Sequence, residues 1–206
     1  MDQLINGSIL KAITYRDYLN IVNGLVAIKG TTGPVQSEER IYYTKLNASR
    51  MRRLDKTIVI PDTDIEAFCG CAEKQTWLVL LESWCGDAAQ AIPVLNKIAE
   101  AVPAIDLKVL LRDENPKLMD LFLTDGSRSI PKLIVLDEEG EVLGSWGPRS
   151  KIATELVLDY KMQHGKIDEK FKEELQLWYN MDKGREIIND LKEEVCCFKS
   201  PEPSFI

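Results

Sequence analysis

The residue in this chain most suited to covalent chemistry is Cys85, in the stretch Trp84-Cys85-Gly86-Asp87. An apolar run, TWLVLLE at 76–82, precedes it and is typical of a strand buried on both faces, and a helical pattern follows it. A thiol in the first turn of a helix lies near the positive end of the helix dipole, which lowers its pKa from about 8.5 and supplies the reactive thiolate. The sequence therefore predicts a reactive thiol at Cys85, with a small buried hydrophobe at a strand-to-helix turn as the alternative.

Two residues that follow Cys85 limit this chemistry. Asp87 places a carboxylate near the thiol, where a second negative charge is costly, so we expect the pKa of Cys85 to be lowered only moderately. Ala88 stands where a dithiol motif would supply its second cysteine, so no thiol within the motif can release a mixed disulfide. The chemistry that remains is that of a single thiol.

The other residues with metal-binding or redox chemistry form no recognisable site. An odd number of cysteines, clustered as CGC and CC, does not fit a secreted disulfide framework and favours reduced thiols. The single histidine, His164, excludes a catalytic histidine pair, and neither C-x2-C nor H-x3-H zinc spacing occurs. We predict no metal and no cofactor; a zinc site built from both cysteine pairs and a resolving role for a distant cysteine stay open. The cysteines besides Cys85 are Cys69, Cys71, Cys196 and Cys197.

The composition narrows the class of partner. A net charge of −7 argues against binding nucleic acid or an anionic membrane surface. No apolar run approaches the roughly 20 residues that a membrane span needs. The opening MDQLINGSIL has no basic stretch followed by an apolar one, so we expect no signal peptide and a cytoplasmic location.

Hydrophobic periodicity predicts an α/β fold in which strands alternate with helices around a central mixed sheet covered by helices on both faces. The four predicted strands are 76–82, 106–112, 131–137 and 141–146, of which the last two form an antiparallel hairpin. Helices are predicted from Thr14 to about 26, from Ser37 to about 54, after Asp62, from 86 onward, from 116 to Gly126, over 150–164, and over 168–195 with a break near Gly184.

The motifs in this pattern resemble those of the thioredoxin superfamily. Trp84-Cys85-Gly86 resembles the active-site motif W-C-G-P-C, and Pro93 stands eight residues after the cysteine, where thioredoxins have a proline in the active-site helix. Ile130-Pro131 precedes a strand and resembles the cis-proline dipeptide that faces the reactive sulfur. A set of four segments is similar to a bacterial family of largely uncharacterised thioredoxin-like proteins: WCGDAAQ, LLRDEN, SIPKLIVLD and WGPRS.

This resemblance covers about half of the chain and implies three parts. They are an N-terminal helical extension at 1–56, a thioredoxin-like domain at 57–165, and a C-terminal helix and tail at 166–206. The resemblance also implies the site residues: Cys85 as the catalytic residue, with Trp84, Gly86, Asp87, Ile130 and Pro131 shaping the substrate groove.

One further departure from the family pattern concerns proton transfer. Val79 occupies the position where thioredoxins usually bury an acidic proton shuttle, and this weakens the interpretation as a dithiol disulfide reductase. The leading hypothesis is monothiol thiol–disulfide exchange at Cys85 with protein thiols or disulfides, or with a glutathione-type low-molecular-weight thiol. The alternative is a non-catalytic thioredoxin-fold module that binds a peptide or protein, and a homodimer through the flanking helices is a further expectation.

Four arginines carry alternatives that the sequence leaves open. Arg149, in Trp146-Gly147-Pro148-Arg149, either binds a carboxylate or phosphate or helps to fix the closing helix. Three more arginines belong to a solvated helix face or guide an acidic partner: Arg50, Arg52 and Arg53.

Overall fold

The computed structural model describes residues 2–71 and 73–195 of the chain. The helices are α1 Asp2–Ile9, α2 Tyr15–Ala27, α3 Glu38–Thr57, α4 Asp62–Cys71, α5 Gly86–Ala101, α6 Pro116–Met119, α7 Lys151–His164, α8 Glu169–Asp182 and α9 Arg185–Val195. The strands are β1 Gln75–Leu81, β2 Ile105–Leu111, β3 Lys132–Leu136 and β4 Val142–Trp146.

The four strands form one mixed sheet in the order β2-β1-β3-β4. β1 is parallel to β2 and antiparallel to β3, and β4 completes an antiparallel hairpin with β3. Val79 pairs with Val109 on one side and with Leu133 on the other, and all three side chains are fully buried. The continuous apolar run of β1 is therefore that of a central strand covered on both faces, as predicted.

Helix boundaries follow the capping residues that the sequence provides. The side chains of Thr14, Ser37 and Ser150 accept hydrogen bonds from the backbone N–H three residues later, as expected for N-caps. Gly184 has φ +81°, and its Cβ would come 2.7 Å from Val94, so the break between α8 and α9 needs a glycine. These boundaries confirm the predictions.

The helix predicted from 116 to Gly126 is wrong, because α6 ends at Met119. Leu118 and Met119 are buried, but Leu121 and Leu123 are 47% and 42% exposed, so the apolar residues do not continue one core-facing stripe. The Asn115 side chain donates to the Leu111 carbonyl instead of capping the helix. None of the helices in the described ranges is long and apolar enough to cross a membrane.

The N-terminal helices share the core of the sheet. Tyr18 of α2 and Met51 of α3 are each 1% exposed and belong to the same apolar cluster as Trp77 of β1. Ile13, just before α2, exchanges backbone hydrogen bonds with Val109 of β2 at 2.9 and 2.8 Å. Residues before β1 are thus integral to the packing that surrounds the sheet.

Met51→Ala is expected to lower the free energy of unfolding by about 2–5 kcal/mol, because the truncation leaves a cavity between α3 and the core. Met162→Ala, on a side chain that is 78% exposed, is the matched control and is expected to change it by less than about 0.5 kcal/mol. Urea unfolding of both variants measures the difference. Equal midpoints for the two would contradict the burial of α3.

Candidate functional site

Cys85 lies at the junction of β1 and α5, where it is the N-cap residue of α5. Its Sγ accepts a hydrogen bond from the Ala88 N–H at 3.4 Å, and its backbone N–H donates to the Glu82 carbonyl at 3.1 Å. The sulfur thus occupies the place that a serine or aspartate oxygen takes in an ordinary helix cap. The strand end and the helix start hold it at the carboxyl edge of the sheet.

The loop before β3 closes over the sulfur. The Ile130-Pro131 peptide bond is cis, as predicted, and the Cys85 thiol donates to the Ile130 carbonyl at 3.3 Å. Ile130 itself is 7% exposed. The Ile130 carbonyl, part of the predicted substrate groove, is therefore occupied by the thiol and enclosed.

Burial, and to a smaller extent the Asp87 carboxylate, raise the pKa of the Cys85 thiol to about 12. The N–H groups at the start of α5 and the Arg149 guanidinium act in the opposite direction but with smaller effect. The prediction of a lowered pKa is wrong. Its physical reason is that Cys85 is only 9% exposed, and a thiolate loses more hydration there than the helix N-terminus replaces.

An ion pair lies beside the sulfur. Arg149 Nη2 is 2.6 Å from Asp87 Oδ2, and the Tyr179 hydroxyl donates to Asp87 Oδ1 at 3.1 Å. Arg149 therefore joins the loop after β4 to the start of α5, and Tyr179 adds α8 to the same group. The carboxylate that Arg149 pairs with is that of Asp87 in the same chain, which is a structural contact; binding of a ligand's carboxylate or phosphate by Arg149 stays a prediction.

Gly147 allows this loop to reach the site. Its φ is +108°, and a Cβ at this position would lie 2.3 Å from the Pro131 carbonyl oxygen. Any side chain would push the two loops apart, and with them Arg149. The glycine in the WGPR segment is thus needed for the close approach of the β4 loop to Pro131.

A cavity of about 490 Å³ opens above Cys85. Tyr43 and Arg50 of α3 form part of one wall, Leu175 and Gln176 of α8 form part of the opposite wall, and Cys85 lies at its floor. Both walls come from helices outside the segment that the family resemblance covered. Access to the sulfur is therefore set by the flanking helices.

Polar contacts hold α8 across the cavity. The Tyr43 hydroxyl donates to Glu169 at 3.0 Å, and Gln90 Nε2 of α5 donates to Gln176 Oε1 at 2.8 Å. The Tyr179 contact to Asp87 adds a third attachment. These hydrogen bonds join α8 to both α3 and α5, so the opening is a defined pocket.

Trp84 forms another part of the pocket wall, between two guanidinium groups. Arg40 lies 4.2 Å and Arg112 lies 5.1 Å from the ring centroid, within the range of cation–π attraction. Arg112 is also paired with Asp113 at 2.7 Å. The tryptophan is thus held in place at the mouth of the site.

A buried polar cluster fixes the turn before Cys85. Ser83 Oγ lies 2.8 Å from Thr44 Oγ1 of α3 and accepts the Thr32 N–H at 3.1 Å, and Asn47 Nδ2 donates to the Ser83 carbonyl at 2.9 Å. Thr44 and Asn47 are fully buried. The helical extension is therefore hydrogen-bonded directly to the segment that carries the thiol.

A protein-family model described as Thioredoxin (Thioredoxin_9) matches residues 33–172. The chain belongs to this thioredoxin family. The match begins before α3 and ends at residue 172, so it includes α3 and the first turn of α8 but not Leu175 and Gln176 of the opposite wall. The four-stranded mixed sheet, the cysteine at the β1–α5 junction and the cis-proline opposite it agree with this thioredoxin-like fold.

Two solved structures resemble the thioredoxin-like chain. A crystal structure of an HIV epitope-scaffold is 20% identical, with a TM-score of 0.54, and the match covers 89% of this chain and 98% of that chain. A crystal structure of a protein of unknown function from Pseudomonas aeruginosa is 19% identical, with a TM-score of 0.53, 90% of this chain and 96% of that chain covered. At these identities the likeness concerns the fold alone. No curated protein matches the chain.

Four of the six predicted residues line the cavity of this thioredoxin-like site, and a fifth, Ile130, meets the Cys85 sulfur through its backbone carbonyl. Trp84, Cys85, Gly86 and Asp87 line the cavity, whereas neither Ile130 nor Pro131 is among its lining residues. The substrate groove that we predicted along the cis-proline is thus not where the cavity opens.

Among the cysteines whose side chains the structure describes, Cys69 and Cys85 do not form a disulfide. Cys69 is an exposed free thiol in α4, and Cys85 is a buried one. The side chain of Cys71 and the pair Cys196 and Cys197 lie outside the described residues, so the resolving role and the zinc site stay predictions.

Sequence reasoning missed Arg50, Gln176 and the buried carboxyl Glu82. The sequence predicts a solvated helix face or an acidic partner for Arg50, whereas the structure places it half-buried, with Nη1 donating to Asn47 Oδ1. No local signal marks this position, because the burial of Asn47 is itself decided by tertiary packing. Glu82 ends the apolar run and is fully buried; its Oε1 accepts the Asp113 N–H at 2.8 Å, and burial raises its pKa. A buried acid thus exists near the thiol, although not at position 79.

Asp87→Asn is expected to lower the pKa of Cys85, because it removes the negative charge beside the sulfur and leaves Arg149 without its carboxylate. For each unit by which the pKa of Cys85 falls, its alkylation at about pH 8 should become roughly threefold faster. The reason is that the gain in thiolate outweighs the loss of nucleophilicity. Asp159→Asn, on the exposed side of α7, is the control. An unchanged rate for Asp87→Asn would show that burial alone sets the pKa.

Proposed function

We propose that this thioredoxin-like protein is a binding module, in which Cys85 is a protonated thiol at the floor of a ligand pocket. The observation that carries the proposal is that Cys85 is enclosed, with a pKa raised to about 12, beneath a cavity of about 490 Å³. Pockets of this size and depth are typical of small-molecule sites. Among the two hypotheses from the sequence, this is the alternative to monothiol exchange.

The raised pKa argues against rapid thiol chemistry. A pKa of about 12 in place of about 8.5 leaves roughly three-thousandfold less thiolate at neutral pH. A more basic thiolate is more nucleophilic, which recovers about half of that loss on a logarithmic scale. Exchange at Cys85 is therefore expected to be about a hundredfold slower than at an unperturbed cysteine.

The resolving cysteine and the acidic proton shuttle, which assist exchange in a dithiol enzyme, are both replaced in this chain. Ala88 replaces the resolving cysteine, and its backbone N–H donates to the Cys85 sulfur. Val79, at the position of the usual acidic proton shuttle, is a fully buried apolar residue. Glu82 is buried, but its Oε1 accepts the N–H of Asp113. These contacts favour a structural use of the residues around the sulfur.

The shape of the site favours a small ligand over an extended polypeptide. The backbone carbonyl of Ile130 is engaged by the thiol, so the edge that would pair with a strand is occupied. The open space lies instead between α3 and α8, which are joined by the Tyr43–Glu169 hydrogen bond. A compact molecule, or a single side chain or terminus of a partner, fits this opening.

Slow monothiol exchange is the second candidate, because Cys85 lines the cavity and a ligand there would meet it. In such a step the sulfur of Cys85 attacks one sulfur of a small disulfide and forms a mixed disulfide. The other sulfur leaves as a thiol and takes the proton that Cys85 gives up, so the small disulfide is the oxidant. Its recognition would use the same pocket.

The pH profile of alkylation tests the proposal. At about pH 8 we expect Cys85 to be labelled at least about a hundredfold more slowly than the exposed Cys69, with a rate that still rises above about pH 10. Peptide mass spectrometry locates the label in the wild-type chain, and Cys85→Ser identifies the signal that belongs to this thiol.

The opposite outcome is equally clear. An apparent pKa of Cys85 below about 8.5, together with a glutathionyl adduct at Cys85 on exposure to glutathione disulfide, would overturn the binding-module proposal in favour of monothiol exchange.

A further inference from the structure

The inner part of the cavity carries a cation without a carboxylate partner. Within the described residues, no carboxylate oxygen lies within 4.0 Å of the Arg50 guanidinium, which donates to Asn47 Oδ1 at 2.8 Å. By contrast, Arg149 is paired with Asp87 at 2.6 Å and Lys172 with Glu169 at 2.5 Å. Arg50 is half-buried, so this uncompensated charge lies partly out of water, where an anion is attracted strongly.

Two donors converge at the first residue of α5. A Cβ built on Gly86 would lie 3.3 Å from Gln176 Nε2 and 3.5 Å from Arg50 Nη1. The Gln176 carbonyl accepts from Gln90, which leaves its amide nitrogen free to donate to a ligand. The N-terminal end of α5 adds its own attraction for negative charge at the same place.

Unpartnered donors elsewhere in the lining point to the same chemistry. Arg40 Nη1, Trp84 Nε1 and Arg149 Nε are buried nitrogens with no hydrogen-bond partner in the described chain, and all three residues line the cavity. Buried donors are normally satisfied, and leaving one unpaired costs about 1–3 kcal/mol. These nitrogens add positive and donor character around the cavity but are themselves enclosed, so the contacts to a ligand are assigned to Arg50 and Gln176.

The carboxylates and the apolar side chains of the lining occupy different places. Glu39, Glu169 and Glu173 are exposed and lie at the rim. The remaining carboxylate, Asp87, lies beside Cys85 and is neutralised by its ion pair with Arg149. Leu46, Phe171 and Leu175 provide apolar surface in the walls. The cavity therefore offers an apolar body with cationic and amide donors at its inner end.

We propose that the pocket binds a small monoanionic carboxylate with an apolar or aromatic body, whose carboxylate lies between Arg50, Gln176 and the first turn of α5. A single uncompensated guanidinium matches one negative charge and favours a carboxylate over a dianionic phosphate. The apolar body lies between α3 and α8. This inference rests on the proposed binding function and names its ligand class.

Calorimetric titration with three matched probes tests the ligand class: 2-naphthoate, neutral 2-naphthamide and 2-naphthyl phosphate. The wild-type chain is expected to bind 2-naphthoate at least about tenfold more tightly than either of the others. A dipeptide with a free terminal carboxylate, compared with its amide, distinguishes a peptide terminus from a free small molecule as the source of the carboxylate. Equal affinity for naphthoate and naphthamide, tighter binding of the phosphate, or no binding of naphthoate at about 1 mM would each overturn the assignment.

Variants on one helix separate a direct contact from a general effect of charge. Arg50→Gln is expected to weaken 2-naphthoate binding by about tenfold or more and to leave 2-naphthamide unchanged, because the hydrogen bond to a charged group is lost. Arg52→Gln removes the same charge from an exposed position of α3 and is expected to bind like the wild type. Equal weakening by both variants would contradict a contact at Arg50, and the probe comparison in the wild type does not depend on either variant folding.

The ligand class and the binding function can fail separately. Binding of 2-naphthamide as tight as that of 2-naphthoate would reject the carboxylate and retain the binding module. A low pKa of Cys85 with rapid labelling would reject the module even if naphthoate binds.

Discussion

The buried hydrogen-bond cluster around Ser83 is the constraint on which the rest of the site depends. Thr31 and Thr32 from the loop before α3, and Thr44 and Asn47 from α3, all reach this one residue. Because these groups are buried, each must be paired, and only one placement of α3 satisfies them together. The helix that forms a wall of the cavity is thus positioned by the same turn that leads into Cys85.

At Cys85 two physical effects oppose each other. The start of α5 favours a thiolate through its dipole and its free N–H groups, whereas enclosure by the cis-proline loop removes the water that would solvate the charge. Burial is the larger effect here, and Asp87 adds to it. A strand–helix junction with a cysteine therefore does not by itself ensure a reactive thiol, since solvent access decides which effect prevails.

Much of the fold could be predicted because its signals are local. The ends of β1 and β2 lie within one residue of the predicted ends, the Thr14 and Ser37 caps are observed, and the Ile130-Pro131 bond is cis. The helix predicted from 116 to Gly126 is too long, since α6 ends at Met119. Leu121 and Leu123 are exposed, and the local sequence does not distinguish such solvent-facing apolar residues from core-facing ones.

The sequence by itself determined that the chain is an α/β protein with one cysteine at a strand–helix junction, opposite a cis-proline and without a neighbouring thiol. The fold class and the place of the cysteine follow from periodicity and residue type within short segments, and the cis-proline opposite it follows from the resemblance to thioredoxins. Only the tertiary structure decided that the thiol is neutral, that Arg149 pairs with Asp87, and that Arg50 and Gln176 meet above Gly86. The reason is that desolvation and charge pairing depend on residues far apart in the chain, whose proximity no local pattern encodes.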